Sequence, residues 1–139
     1  MAYAMKTDEP ILHVTLLGTL KNDDLVVLAQ KMMEFERSVA VVPHRLTDLR
    51  PVTRLEITFD GVLELANKRM QLKFPNSFKS AIVASDVVHY GFARMFQTLN
   101  DHPQISIAIF PDTATALHWL EKAGQDLPLK AWAPRATVS

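Results

Sequence analysis

Few side chains in this sequence of 139 residues stand where covalent chemistry could be done. Cysteine is absent, which removes thiolate nucleophiles, thiolate metal ligands and disulfides together. The histidines, His13, His44, His89, His102 and His118, are scattered. No two share ligand spacing on one helix, and H-E-x-x-H does not occur. His13 falls mid-strand and reads as a half-buried side chain with one hydrogen bond. The glycines are Gly18, Gly61, Gly91 and Gly124, and none belongs to a phosphate-cradling loop. A nucleophile elbow, G-x-S-x-G, is missing too. Ser85 lies at a strand-to-helix junction, where its expected role is capping together with Asp86. Catalytic residues, bound metal and cofactor are therefore not expected.

The charged residues narrow the partners. Lys plus Arg number 15 and Asp plus Glu number 15. A net charge of zero argues against a protein that works by neutralising many phosphates of a nucleic acid. His44, Arg45, Arg50 and Arg54 form a basic cluster offset by Asp48 and Glu56. It reads as a solvated strand end, with a site for an anionic ligand or partner as the alternative. Trp119 and Phe96 sit in apolar helix stripes and read as core rather than as stacking platforms. No apolar run approaches the roughly 20 residues that span a bilayer, and the first ten residues lack a signal-peptide core. The expectation is a soluble cytoplasmic protein.

The elements that must position these residues follow from periodicity. Hydrophobic residues are 48% of the chain and charged residues 22%, which suits a globular domain. A strand runs from Ile11 to Leu17 and breaks at Gly18. A weaker strand, Tyr3 to Lys6, could precede it through a turn at Thr7 to Pro10. Asn22 or Asp23 caps a first helix whose apolar face carries Leu25, Leu28, Ala29, Met32 and Val39, with Glu34, Glu36 and Arg37 on its wet side. A second strand spans His44 to Asp48. Val52 to Ile57 has no firm period and reads as a loop or short helical turn. Thr58 caps a second helix, with Val62, Leu63, Ala66 and Met70 inward and Lys68, Arg69 and Lys73 as a basic face. Phe78 to Ser85 is a strand of the fully buried sort. Ser85 or Asp86 caps a third helix striped by Val88, Phe92, Met95 and Leu99. Ile105 to Phe110 is the last strand, and Asp112 caps a helix carrying Leu117, Leu120 and Ala123 that stops at Gly124. Residues 125–139, with Trp132, read as a tail on a single domain of residues 1–124. Four strand-helix units of this kind predict an α/β fold: a four-stranded parallel core sheet, an N-terminal antiparallel edge strand, and helices on both faces.

These segments resemble a known family. The strand Ile11 to Leu17 ending at Gly18 before an acid-capped helix is similar to the opening of STAS domains, and so is His44-Arg45-Leu46-Thr47-Asp48. The second half resembles the small bacterial SpoIIAA-like proteins in Ala81-Ile82-Val83-Ala84, Tyr90-Gly91-Phe92-Ala93-Arg94-Met95-Phe96, Ile109-Phe110-Pro111-Asp112 and Ala116-Leu117-His118-Trp119-Leu120. The resemblance covers residues 3 to 124. It implies a sheet with the first core strand at the centre, the next strand on one side and the last two on the other. Antagonists of anti-sigma factors with this fold are phosphorylated on a serine at the start of the second helix. Here that stretch is Ile57-Thr58-Phe59-Asp60-Gly61, which has no such serine, and Thr58 is a weak substitute. That strand order would reverse the winding between the first and third core strands and place a ligand crevice at the strand C-ends. Its residues would be Gly18, Thr19, Asp48, Arg50, Ser85, Asp86 and Tyr90.

Two functions follow. The first is a non-catalytic regulatory module that binds a protein partner or itself. Surplus apolar positions at Val87, Tyr90 and Met95 point to a homodimer. The alternative is a carrier or sensor of a small or lipid-like molecule, by analogy with lipid-transfer proteins of related fold.

Overall fold

In the computed structural model the described residues are 2–8 and 11–124. Glu9 and Pro10 of the expected turn, and the expected tail with Trp132, lie outside them. The elements are β1 (Ala2–Asp8), β2 (Ile11–Lys21), α1 (Asn22–Arg37), β3 (His44–Asp48), β4 (Val52–Glu56), α2 (Phe59–Met70), β5 (Phe78–Val83), α3 (Val87–Leu99), β6 (Ile105–Phe110) and α4 (Thr113–Gly124).

The sheet runs β1-β2-β3-β5-β6, with β4 also paired to β2. β1 pairs antiparallel with β2, from Ala2 opposite Leu17 to Asp8 opposite Ile11. The remaining pairings are parallel. The expected antiparallel edge strand is thus present and longer than Tyr3 to Lys6. The expected placing of the first core strand between its neighbours is not: β3 lies between β2 and β5. Strands are added in one direction only, and right-handed crossovers then set α1, α2 and α3 on a common face. Their side chains share one core cluster, containing Leu16, Leu25, Met32, Val62, Ile82 and Ala93. α4, which follows the last strand, packs on the opposite face against Leu46, Ala81 and Val83 through Ala116 and Leu120. β5 is covered on both sides, which is why its sequence is apolar without alternation.

Gly18 does not end the strand. It sits inside β2 with φ 74, a left-handed conformation that glycine adopts without a Cβ penalty. The ladder to β4 slips there, with Gly18 opposite Val52 but Thr19 opposite Arg54. This bulge lets β2 continue to Lys21, and its second half is the edge that makes Val52–Glu56 a strand rather than a loop or helical turn.

Three local expectations are corrected. Lys21 is the N-cap residue of α1, and its amide donates to Asp24 Oδ2 at 2.7 Å. Asn22 is used elsewhere: its Oδ1 accepts from the Thr58 amide at 3.1 Å and its Nδ2 donates to Thr58 Oγ1 at 3.0 Å. The same hydroxyl oxygen accepts from the Gly61 amide at 3.1 Å, so Thr58 caps α2 as expected. A Cβ on Gly61 would lie 2.1 Å from Asn22 Oδ1, so a glycine is required for the clamp between the two helix starts. Val88 and Met70 are exposed; the α3 stripe begins one residue later, at buried His89. Finally, Glu36, His44, Arg45 and Arg69 are all buried, not solvated.

Candidate functional site

The residues expected to form a crevice at the strand C-ends are largely engaged in local contacts: Asp48 and Arg50 bond each other, and Gly18 and Asp86 bond residues outside the set. Asp48 accepts from Arg50 Nε at 3.0 Å, from Arg50 Nη2 at 2.9 Å and from the Arg50 amide at 3.0 Å. Burial alone would raise the Asp48 carboxyl; these hydrogen bonds and the Arg50 charge outweigh it and hold the group below its ordinary value. Arg50 also donates to Thr113 Oγ1 at 2.8 Å, tying β3 to the start of α4. The Gly18 amide donates to Pro51 O. Asp86 is the cap of α3, accepting from the His89 amide at 2.8 Å, while Ser85 is exposed and serves no cap. Thr19 stands in the ladder opposite Arg54. Tyr90 is half exposed, pointing away from the core. The winding does not reverse between β2 and β5, so these residues surround no switch-point crevice. Buried His89 ties this end together: Nε2 lies 2.8 Å from Val52 O and Nδ1 3.2 Å from Asp86 Oδ2.

A concave space with apolar walls lies elsewhere, between the sheet and the α1–α3 layer. It is a cavity of about 110 Å³. Its walls are apolar along most of their length, with Leu28 and Met32 from α1, Leu65 from α2, and Phe92 and Phe96 from α3. The strand register decides what the sheet contributes. Arg45 is opposite Ser80 and Thr47 opposite Ile82, and all four line the cavity while the alternate residues face α4. Arg45 is the second residue of β3, Arg69 the last but one of α2, and Asn100 caps the end of α3. The polar groups therefore gather at the strand N-ends, opposite to where the crevice was expected.

That polar end holds an unbalanced ion cluster. Arg69 forms a fork with Glu36, Nη1 to Oε1 at 2.7 Å and Nη2 to Oε2 at 2.5 Å. Arg45 Nη2 reaches the same Oε2 at only 3.4 Å. Among the described residues Arg45 Nε has no hydrogen-bond partner, nor has Asn100 Oδ1, although both are buried. The guanidinium of Arg45 rests on the Phe78 ring at 5.3 Å, and that of Arg69 on Phe74 at 5.5 Å. Burial, then the nearby charge of Arg69, push the Arg45 pKa down to about 10 against the opposing pull of Glu36. Arg45 remains a cation at neutral pH. Two guanidinium groups face one carboxylate, and the short contacts to that carboxylate are made by Arg69.

Sequence reasoning placed Arg45 in a solvated cluster, Glu36 on a wet helix side and Arg69 on a basic face, and it did not single out Ser80 or Asn100. A usable signal existed. Buried Leu25, Ala29, Met32 and Glu36 fall on one stripe of α1, and Val62, Ala66 and Arg69 on one stripe of α2. A single acid on one apolar stripe and a single base on another mark a buried pair.

No family model matches the chain, and no curated protein matches it. Among solved structures it is similar to an uncharacterised protein of the DUF3478 family with a SpoIIAA-like fold from Shewanella loihica PV-4. The TM-score is 0.57 at 17% identity, over 86% of this chain and 92% of that one. The succession of strands and helices, the antiparallel first strand and this likeness agree that the chain has an α/β fold of the SpoIIAA-like type.

Proposed function

We propose that the protein is a binding module that carries or senses a small, largely apolar molecule held between the sheet and the α1–α3 layer. The observation that carries this reading is the cavity of about 110 Å³, walled by leucine, methionine and phenylalanine. Close-packed interiors hold few voids larger than a water molecule, and apolar voids of roughly 150 Å³ take up benzene-sized guests. No residue arrangement beside it pairs a nucleophile with a base, so the reading is of binding without turnover. The test is a titration with benzene and 1-hexanol followed by amide and methyl NMR. Leu28, Met32, Leu65 and Phe96 are expected to shift together and saturably. Shifts absent from these residues, or scattered over the surface, overturn the reading.

A second reading is a module that binds a protein partner or a second copy of itself. It is supported by the first turn of α3, where Val87 is 87% exposed, Val88 63% and Tyr90 50%. Adjacent exposed apolar side chains of this size often mark interfaces. The two readings are compatible, because this patch lies at the opposite end of α3 from Asn100.

A further inference from the structure

We infer that the cavity receives an amphipathic monocarboxylic acid, its carboxylate bound by Arg45 and its short apolar body lying against Phe92 and Phe96. The inference rests on the cavity reading above and names the chemical class of its ligand. Three observations lead to it. The first is charge: among the described residues Arg45 and Arg69 are buried against Glu36 alone, and one more carboxylate at this end would balance the cluster. The second is geometry: Arg69 takes both Glu36 oxygens in a fork, whereas Arg45 has a single long contact and an unpartnered Nε. Nε and one Nη form the edge of a guanidinium that grips a carboxylate with two parallel hydrogen bonds. The third is position: Arg45 lines the same cavity as the aromatic wall, so one molecule can meet both.

Alternatives of different chemistry fit less well. An amine would add a third cation to the cluster. A neutral alcohol would leave the cationic excess uncompensated, although it would still bury its chain. A phosphate ester would bring more charge than one guanidinium balances. The cavity, somewhat smaller than one that accepts benzene, sets the body at roughly the size of a short alkyl chain or a single ring.

The experiment compares hexanoate, 1-hexanol and hexylamine at pH 7 by calorimetry and NMR on the full chain. Hexanoate is expected to bind roughly ten- to a hundredfold more tightly than 1-hexanol, the range for a charge-assisted hydrogen-bonded pair. It should also move the Arg45 Nε–H resonance, which 1-hexanol should leave in place. In Arg45→Met that preference should vanish while 1-hexanol affinity stays within a few fold. Arg45→Gln, which keeps a donor without the charge, gives the same comparison if the Met variant does not fold. If 1-hexanol binds in the cavity and hexanoate binds no better, the carboxylate inference is overturned and the cavity reading stands. If neither binds, the cavity reading itself falls. A hexanoate preference that survives both Arg45 variants also overturns the assignment.

Discussion

Arg45→Met and Arg69→Met remove the same charge from the same cluster, yet they should have opposite consequences for stability. Arg69 supplies both short contacts to Glu36, at 2.7 and 2.5 Å. Its loss leaves a buried carboxylate facing Arg45 across 3.4 Å. Removing one partner of a buried pair costs about 3–5 kcal/mol. Arg45→Met leaves the Glu36–Arg69 fork whole and neutral. Burial and the Arg69 charge push the Arg45 pKa down to about 10 against the pull of Glu36, which corresponds to roughly 3 kcal/mol by which the buried cation is disfavoured. Met removes that penalty and keeps most of the stem packed near Phe78. Against this stands the lost ring contact, about 1 kcal/mol or less, since the pull of Glu36 is already contained in the lowered pKa. The expected result is a variant between unchanged and about 2 kcal/mol more stable than the parent. Urea denaturation at pH 7, with a constant m-value as the check on two-state behaviour, measures both differences. If Arg45→Met loses as much stability as Arg69→Met, the cluster is not unbalanced in the manner described.

Four further outcomes are expected. Asn22→Ala should lose about 1–2 kcal/mol by urea denaturation, because both of its hydrogen bonds to Thr58 go at once; no loss would mean that the clamp contributes nothing. Asp48→Asn should cost about 1 kcal/mol at pH 7, a modest figure because Arg50 is 42% exposed. The folded Asp48 carboxyl sits below its ordinary value, so its stabilisation is complete above about pH 4 and is lost as pH falls through the lower folded value; the parent and the variant should converge in that acid range. Gly18→Ala should cost about 1–2 kcal/mol through backbone strain alone, since no atom lies within 4 Å of the added Cβ, and Gly18→Asn should cost less. Sedimentation equilibrium should show a dimer that Val88→Lys returns to monomer, and a monomer at every concentration would refute the exposed α3 turn as a self-association surface.

The repeated strand-helix alternation was readable because each helix has one apolar stripe and each inner strand an apolar run. Caps were readable where a short polar side chain had no competing use, as at Thr58, Asp86 and Asp112. Asn22 was misread because its amide pairs with a residue 36 positions away, a partner that local pattern does not reveal. β4 was missed for a related reason. Its five residues have little strand character of their own, and the edge they pair with exists only because a glycine bulge carries β2 on to Lys21. Strand order was taken from the family resemblance and departs from what the chain adopts; short parallel strands of similar composition do not themselves encode which neighbour they take. The candidate site suffered most. Its cavity is bounded by four strands and three helices at once, and its charged residues looked solvated because their partners are distant in sequence.

The double fastening of α1 to α2 has a kinetic consequence. Asn22 holds Thr58 at the helix starts, and Glu36 holds Arg69 near their ends. The two points on α1 are about 21 Å apart at 1.5 Å per residue. Neither helix can peel away from one end without first breaking the tie at that end, and neither tie reaches α3. Amide protons of α1 and α2 should therefore exchange with solvent at a common slow rate, as one cooperative unit, while those of α3 follow a separate and faster opening. In that ordering α3 is the leaf that swings, and its far end carries Asn100 at the cavity's polar end.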